Sequence, residues 1–513
     1  MAKPTVIGVI GAGTMGSGIA LAALYAGCDV IVQDAYPQML EKASEYIKKF
    51  LDKKGEGEKF KKLQLVGGLD GLASAQIIIE AAPEDLALKQ EIFRKLDTTC
   101  PPPAILATNT STLSVTAIAA TTRHPERVAG MHFFNPAPVL PLVEVVRAAQ
   151  SSQETIDALV HFAKQLVKTP VVTGDTPGFI VNRVARPFYG EALRILGEGI
   201  ATHEQIDEIV ELNGGFKMGP FRLMDLIGID INAGAMRSMY EQTFGEPRYR
   251  PHPIQMQKLA AGEMGRKTGR GFYDYKDEGG RIRDENVQRP MPNVKHTKVS
   301  ERVLISEGSW APGLADTLTA AGYSVDSVPD PEHKPVACFV VAGRREEAER
   351  LIAWYDQSLP ADVPLLFQCA DITRSEAESW VQQPERLVAF DGLFTAGSSF
   401  TLISSQMESA EVCARVDHLA ESLGKQPIWI GEGTAGVLPR IVCQLVNEAA
   451  FAQLEGVADG ATIDLAMKLG VNYPKGPLEW GADIGYDKVL DVLDHLHAQY
   501  HEERYRACVL LRR

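Results

Sequence analysis

The chain has 513 residues, 45% of them hydrophobic and 23% charged, with a formal net charge of −14 at pH 7. That length exceeds what one hydrophobic core organises, so three or four domains of ordinary globular composition are expected. The acidic balance argues against a general binder of nucleic acid or of an anionic membrane, though not against an anionic ligand held in a local basic patch.

The run from Thr5 to Gly27 has the length of a signal peptide or membrane span, but Gly8, Gly11, Gly13, Gly16 and Gly18 and the polar Thr14 and Ser17 break it. It resolves into a β-branched strand (Val6 to Ile10), a glycine turn and an alanine-rich helix (Ser17 to Tyr25). The chain is therefore expected to be cytosolic. A second strand, Val30 to Gln33, ends in Asp34. Between the first strand and the helix stands Gly11-Ala12-Gly13-Thr14-Met15-Gly16, the arrangement of a dinucleotide-binding turn. Gly11 permits the tight turn, Gly13 lets the backbone approach a pyrophosphate, and Gly16 lets the helix pack close to the strand. The pyrophosphate then meets the free amides of the helix start. Asp34 would accept from a ribose hydroxyl and repel a 2′-phosphate, which favours NAD over NADP. A structural βαβ unit without nucleotide is the alternative.

A basic run from Lys53 to Lys62 follows. Further β-rich runs at 75–81, 104–108 and 128–131, separated by helical patterns, predict a doubly wound parallel sheet. Ser111 lies just past the second of these strands, where ligands sit in such sheets. It is a candidate substrate contact, and a plain helix N-cap would look the same. His132 then precedes a lone acid, Glu144, among apolar residues and prolines. A carboxylate so placed calls for a partner, and an imidazole is a natural one. Histidine also titrates near neutrality, as a general base for alcohol oxidation must. A carboxylate on its other nitrogen fixes the tautomer and stabilises the imidazolium. From Asp175 the texture turns helical. One long helix is predicted, with Asn182 in its first turns and Arg186 four residues on, on the same face. The seven cysteines are an odd number, widely spaced and without a metal-ligand pattern, so reduced thiols and no metal site are expected.

The motifs GAGTMG, HFFNPAPVLPLVEVV, DTPGFIVNR, MGPF and GRKTGRGFYDY, spread over residues 5 to about 276, resemble the 3-hydroxyacyl-CoA dehydrogenases. The resemblance implies His132 as general base, Glu144 as its partner, and Ser111 and Asn182 as substrate contacts. It places the cofactor beside Gly11, Gly13, Thr14, Met15, Gly16, Asp34, Glu84, Lys89, Asn135 and Lys267. It brings Lys53 and Lys54 to the phosphates of coenzyme A, although that run also fits a solvated helix face.

The remainder reads as a degraded second copy. Val303 to Gly308 through Tyr323 parallels Gly8 to Cys28, with Ser306 for Gly11 and Ala311 for Gly16. Pro384-Glu385-Arg386 parallels Pro125-Glu126-Arg127, which puts Asp391 at the position of His132. The position of Glu144 is expected near Ile403, and that of Asn182 near Pro439 or Arg440. The division predicted is a Rossmann-like NAD domain (1–176), a helical domain (177–277), a linker (278–298), a degenerate Rossmann-like domain (299–430) and a second helical domain (431–513). Since the resembling family pairs through helical domains, an internal pseudo-dimer is expected, with further homo-oligomerisation open. The two-copy plan and the ending YHEERYR are similar to bacterial enzymes of phenylacetate breakdown, which implies 3-hydroxyadipyl-CoA as substrate. Arg186 is then the candidate partner for the distal carboxylate, against an arginine serving only the domain seam. A short-chain 3-hydroxybutyryl-CoA dehydrogenase and a nucleotide-binding scaffold are the other readings. A dehydrogenase using a catalytic lysine finds no motif at Lys164 or Lys168.

Overall fold

Strands buried on both faces of a parallel sheet read as unbroken apolar runs, and the first half of the chain supplies several. The computed structural model describes residues 6–276, 301–342, 345–405 and 407–513; the expected linker, 278–298, lies outside them. Eight strands form the first sheet: β1 (Val6–Ile10), β2 (Asp29–Gln33), β3 (Leu63–Val66), β4 (Ile77–Glu80), β5 (Ile105–Thr108), β6 (Val128–Phe133), β7 (Leu142–Arg147) and β8 (Thr169–Gly174). Their order is β3-β2-β1-β4-β5-β6-β7-β8. The order reverses between β1 and β4, which opens a crevice at the carboxyl ends of those strands. All neighbours are parallel except β6 and β7, whose antiparallel register sets His132 directly opposite Glu144.

The second sheet repeats the plan with seven strands, β9 (Arg302–Ile305), β10 (Ser324–Asp326), β11 (Ala337–Val340), β12 (Leu365–Gln368), β13 (Leu387–Phe390), β14 (Ser399–Ser404) and β15 (Gln426–Gly431). Their order is β10-β9-β11-β12-β13-β14-β15, without a counterpart of β3 among the described residues. Here β13 and β14 are the antiparallel pair, and the Asp391 amide donates to the Thr401 carbonyl at 3.1 Å. Thr401 therefore stands where Glu144 stands in the first sheet. The expectation of Ile403 is corrected by two positions, because the connection between these strands is that much shorter.

The described chain divides into two compact units. The first ends its main stretch at Val184 and takes in Phe451–Gly476 from the second copy; the other holds Ala185–Ala450 and Pro477–Arg513. Within the first unit, the Gly460–Gly470 helix packs on β7, β8 and the short Val181–Val184 helix. Within the second unit, the repeat-related His203–Leu212 helix packs on β14 and β15. Helices of both copies also meet there. Fully buried Arg440 donates to Glu191 at 2.9 Å, to Glu198 at 2.7 and 2.9 Å, and to Tyr505 at 2.7 Å. A buried guanidinium is tolerated only with such a complete set of partners. The single long helix predicted after Asp175 is interrupted at Ala185, so that Val181–Val184 and Arg186–Gly197 are separate segments. Pro187, which lacks the amide hydrogen for a continuous ladder, follows at once. Among the described residues no helix is long and apolar enough to cross a membrane.

Candidate active site

The glycine turn has the shape its residues predict. Gly11 has φ +89°, and a Cβ there would lie 2.6 Å from the Ala81 carbonyl oxygen. A Cβ at Gly16 would collide with the Gly11 carbonyl, so the helix rests against the strand end only because that atom is missing. At Gly13 nothing lies within 4 Å of the same position. The helix Thr14–Tyr25 has no acidic residue in its first turn, and its free amides open onto that vacant face. Asp34 accepts from the Ala12 amide at 2.8 Å and from the Tyr36 amide at 2.9 Å, one on each oxygen. A pyrophosphate-and-ribose ligand fits this donor and acceptor set.

At the far end of β6, His132 (4% exposed) and Glu144 (fully buried) meet across the strand pair. Nδ1 of His132 donates to Glu144 Oε2 at 2.7 Å. A carboxylate can only accept, so Nδ1 carries a proton, and in the neutral imidazole Nε2 is left with the lone pair. That lone pair faces Ser111 Oγ at 3.1 Å. The ring packs against Phe134 and Phe179, with centroids 4.6 and 5.8 Å away. The nearby helix is capped by Ser114, whose hydroxyl accepts from the Ala117 amide, so Ser111 is not the N-cap.

The other oxygen of Glu144 accepts two backbone amides, from Ile180 and Val181, both at 3.0 Å. These amides point inward because Gly178 (φ +79°) and Phe179 (φ +49°) are left-handed in succession. For phenylalanine that conformation is unfavourable by roughly 1 kcal/mol or more. Asn182, one residue further, donates to the Ser111 carbonyl at 3.4 Å. His132, Glu144, Ser111 and Asn182 are thus brought into one cluster.

A second network holds the Ser111 loop from below. Glu84 accepts from Thr110 Oγ1 at 2.6 Å, from the Ser111 amide at 2.8 Å and from the Thr112 amide at 3.1 Å. Burial works to raise its pKa, but Lys89 and these three donors outweigh it and leave the carboxyl below its ordinary value. Lys89 is itself buried, 2.7 Å from Glu80 and 3.5 Å from Glu84. Glu80 also accepts from Thr108 Oγ1 at 2.7 Å. Asn109 accepts from the Phe133 amide at 2.8 Å and ties the loop to β6. Sequence reasoning missed Glu80, Asn109 and the two amides; only Glu80, an acid closing an isoleucine run, leaves a visible signal.

Asn135 is exposed just past β6. Lys53 and Lys54 are exposed at the close of the Pro37–Lys53 helix, with Lys54 standing 3.9 Å from the Tyr25 ring centroid. Lys267 and Arg186 belong to the second unit. Lys267 pairs with Asp230 at 2.6 Å, and Arg186 is buried with its guanidinium 5.2 Å from the Tyr189 ring centroid. Among the described residues no group of His, Cys, Asp and Glu side chains could hold a metal.

The corresponding place in the second sheet has no such chemistry. The first helix after β9 starts only at Leu314, behind Pro312, and buried Trp310 occupies the turn. Asp391 and Thr401 replace the histidine and its acid, strand register puts Ala370 at the position of Ser111, and Pro439 follows the turn where Asn182 does.

Residues 6–176 match the NAD-binding domain of 3-hydroxyacyl-CoA dehydrogenase, and residues 178–275 and 437–513 match the C-terminal domain of that enzyme. A 3-hydroxyadipyl-CoA dehydrogenase of Escherichia coli is 34% identical over 99% of this chain and 96% of its own length. A 3-hydroxybutyryl-CoA dehydrogenase of Clostridioides difficile is 40% identical, covering 52% of this chain and 99% of its own. Among solved structures, one described as 3-hydroxybutyryl-CoA dehydrogenase from E. coli aligns with a TM-score of 0.80 at 34% identity, over 99% of this chain and 98% of that one.

Proposed function

The chain belongs to the 3-hydroxyacyl-CoA dehydrogenase family, NAD-dependent oxidoreductases, and we propose that it oxidises 3-hydroxyadipyl-CoA to 3-oxoadipyl-CoA. The observation that carries the chemistry is the line Ser111–His132–Glu144, in which Nδ1 faces the acid and Nε2 faces the serine hydroxyl. His132 accepts the proton of the 3-hydroxyl at Nε2. Glu144 stabilises the imidazolium so formed, held from behind by two backbone amides. Ser111 Oγ lies beside Nε2, Asn182 donates to the Ser111 carbonyl, and the two side chains orient the oxygens of the acyl chain. Phe134 and Phe179 keep water from the ring. The Gly11–Gly16 turn and Asp34 would hold NAD, which would supply the acceptor for the C3 hydride.

The hydroxyadipyl substrate is supported by the end-to-end, two-copy match to the E. coli enzyme of that name. Its distal carboxylate needs a cation, for which Arg186 is the candidate. A second reading, 3-hydroxybutyryl-CoA, is favoured by the names of the other two relatives. Initial rates of NAD reduction on 3-hydroxyadipyl-, 3-hydroxyhexanoyl- and 3-hydroxybutyryl-CoA separate them. We expect hydroxyadipyl-CoA to lead in kcat/KM, and Arg186→Met to lower that value alone by about 10-fold or more, as loss of a charged hydrogen bond does. A lead for hydroxybutyryl-CoA, or equal losses on all three in the variant, rejects the assignment. The seven cysteines form no disulfide and six are buried, as suits a reducing compartment.

A further inference from the structure

Glu144 is aimed by the segment running from β8 to the Val181–Val184 helix, since that segment supplies both of its amide donors. The second copy, which has none of the chemistry, holds that segment at several points. The Val457 carbonyl accepts from the Gly174 amide at 3.1 Å and from Thr173 Oγ1 at 3.3 Å. Glu455 pairs with Arg183 at 2.8 Å. Gly470, closing the Gly460–Gly470 helix, lies so near that a Cβ on it would fall 2.8 Å from Leu142 Cδ2 and 3.0 Å from Val181 Cγ2. Leu142 is two residues before the acid on β7, and Val181 is one of its two amide donors.

The same contacts recur in the other direction. The Gly431 amide donates to the Ile200 carbonyl at 2.6 Å, Arg440 pairs with Glu198, and Gly397 lies against Asn213. That recurrence steadies a turn facing Thr401, where no acid needs aiming.

We propose that Glu455, Val457 and Gly470 of the degenerate copy are positioning residues for the catalytic pair, setting the orientation of Glu144 through the 173–184 segment. A displacement of the order of 1 Å at reacting groups lowers rates by up to ~10²-fold, so a brace at this point bears on kcat. The inference rests on His132 and Glu144 being the catalytic pair.

The test is a methyl wedge in the full-length enzyme. Gly470→Ala is expected to lower kcat about 5- to 50-fold while KM for NAD stays unchanged, because the glycine turn is untouched. Adding Val181→Ala opens the space and should return most of the lost rate. Gly397→Ala is the control: its methyl would meet the Asn213 backbone, with Cα at 2.5 Å, so it should reduce Tm at least as much yet leave kcat of the folded enzyme as it was. Should Gly470→Ala fold poorly, Glu455→Gln removes one charge without adding volume and reads the same kcat-against-KM split. Full kcat in Gly470→Ala, an equal loss of kcat in Gly397→Ala, or no rescue by Val181→Ala overturns the brace. None of these outcomes bears on the catalytic pair itself, which stands or falls with His132→Gln alone.

Discussion

The two copies of the sheet share nearly all of their backbone plan and none of their chemistry. Both place an antiparallel pair beyond the parallel strands, both enter the helical region through two successive left-handed residues (Gly178 and Phe179, Ala435 and Gly436), and both receive a helix from the opposite copy. What differs is the imidazole and three side chains around it, the start of one helix, and the stretch after the second strand, where the first copy carries the Pro37–Lys53 helix and β3 while β10 runs on to β11 within about ten residues. Fold and braces persist under packing constraints, whereas a site persists only while its residues are used. The second copy is thus an internal control for the first.

The sharpest way to break the comparison is to remove the base. His132→Gln should lower kcat by roughly 10²–10⁴-fold, the usual worth of a general base, with Tm held. Near-normal turnover would put the chemistry elsewhere. A smaller effect sharpens the difference at the turns. Asp34→Asn should raise KM for NAD about 10-fold through the loss of a charged acceptor and relax the discrimination against NADP, with KM for acyl-CoA unmoved. An unchanged preference would mean that the pyrophosphate turn alone selects the cofactor.

The smallest effect concerns the residue that replaced the base. Burial pushes the Asp391 carboxyl up from 3.8 to about 7, only partly opposed by the Leu393 and Phe394 amides. A carboxyl whose folded pKa exceeds its unfolded one favours folding below about pH 4, and that contribution fades as pH rises through 7. Asp391→Asn should therefore raise Tm by about 2–4 °C at pH 8, by less toward pH 5, and leave kcat alone. A gain that does not grow with pH would show that the ionisation is not what destabilises this position.

Much of this was legible in the sequence because the signals were side chains at short, regular spacing. The glycine turn with Asp34 downstream, and a histidine and an acid on adjacent strands, are such signals. The degenerate copy was readable from ordered blocks such as Pro384-Glu385-Arg386, but a constant offset carried past β13 overshot to Ile403, since a shortened connection leaves no mark on apolar residues. The donors that hold Glu144 were illegible for a different reason: backbone amides have no residue identity. Nothing in the string Pro-Gly-Phe announces that the phenylalanine will be left-handed. The resemblance implies Glu84 and Lys89 as neighbours of the cofactor; their hydrogen bonds to the Ser111 loop and to Glu80 are a separate feature that it does not announce.

Joining both copies on one polypeptide has a consequence for drift. When identical subunits associate, each substitution in the contact is made twice, and neither half can be relaxed separately. Here the two halves are encoded apart and have already diverged: Arg440 is sealed among Glu191, Glu198, Tyr500 and Tyr505, while Arg183 meets a Glu455 that is 44% exposed. The clasp beside the dyad can therefore be retuned by single mutations, without loosening the one that keeps the silent copy folded.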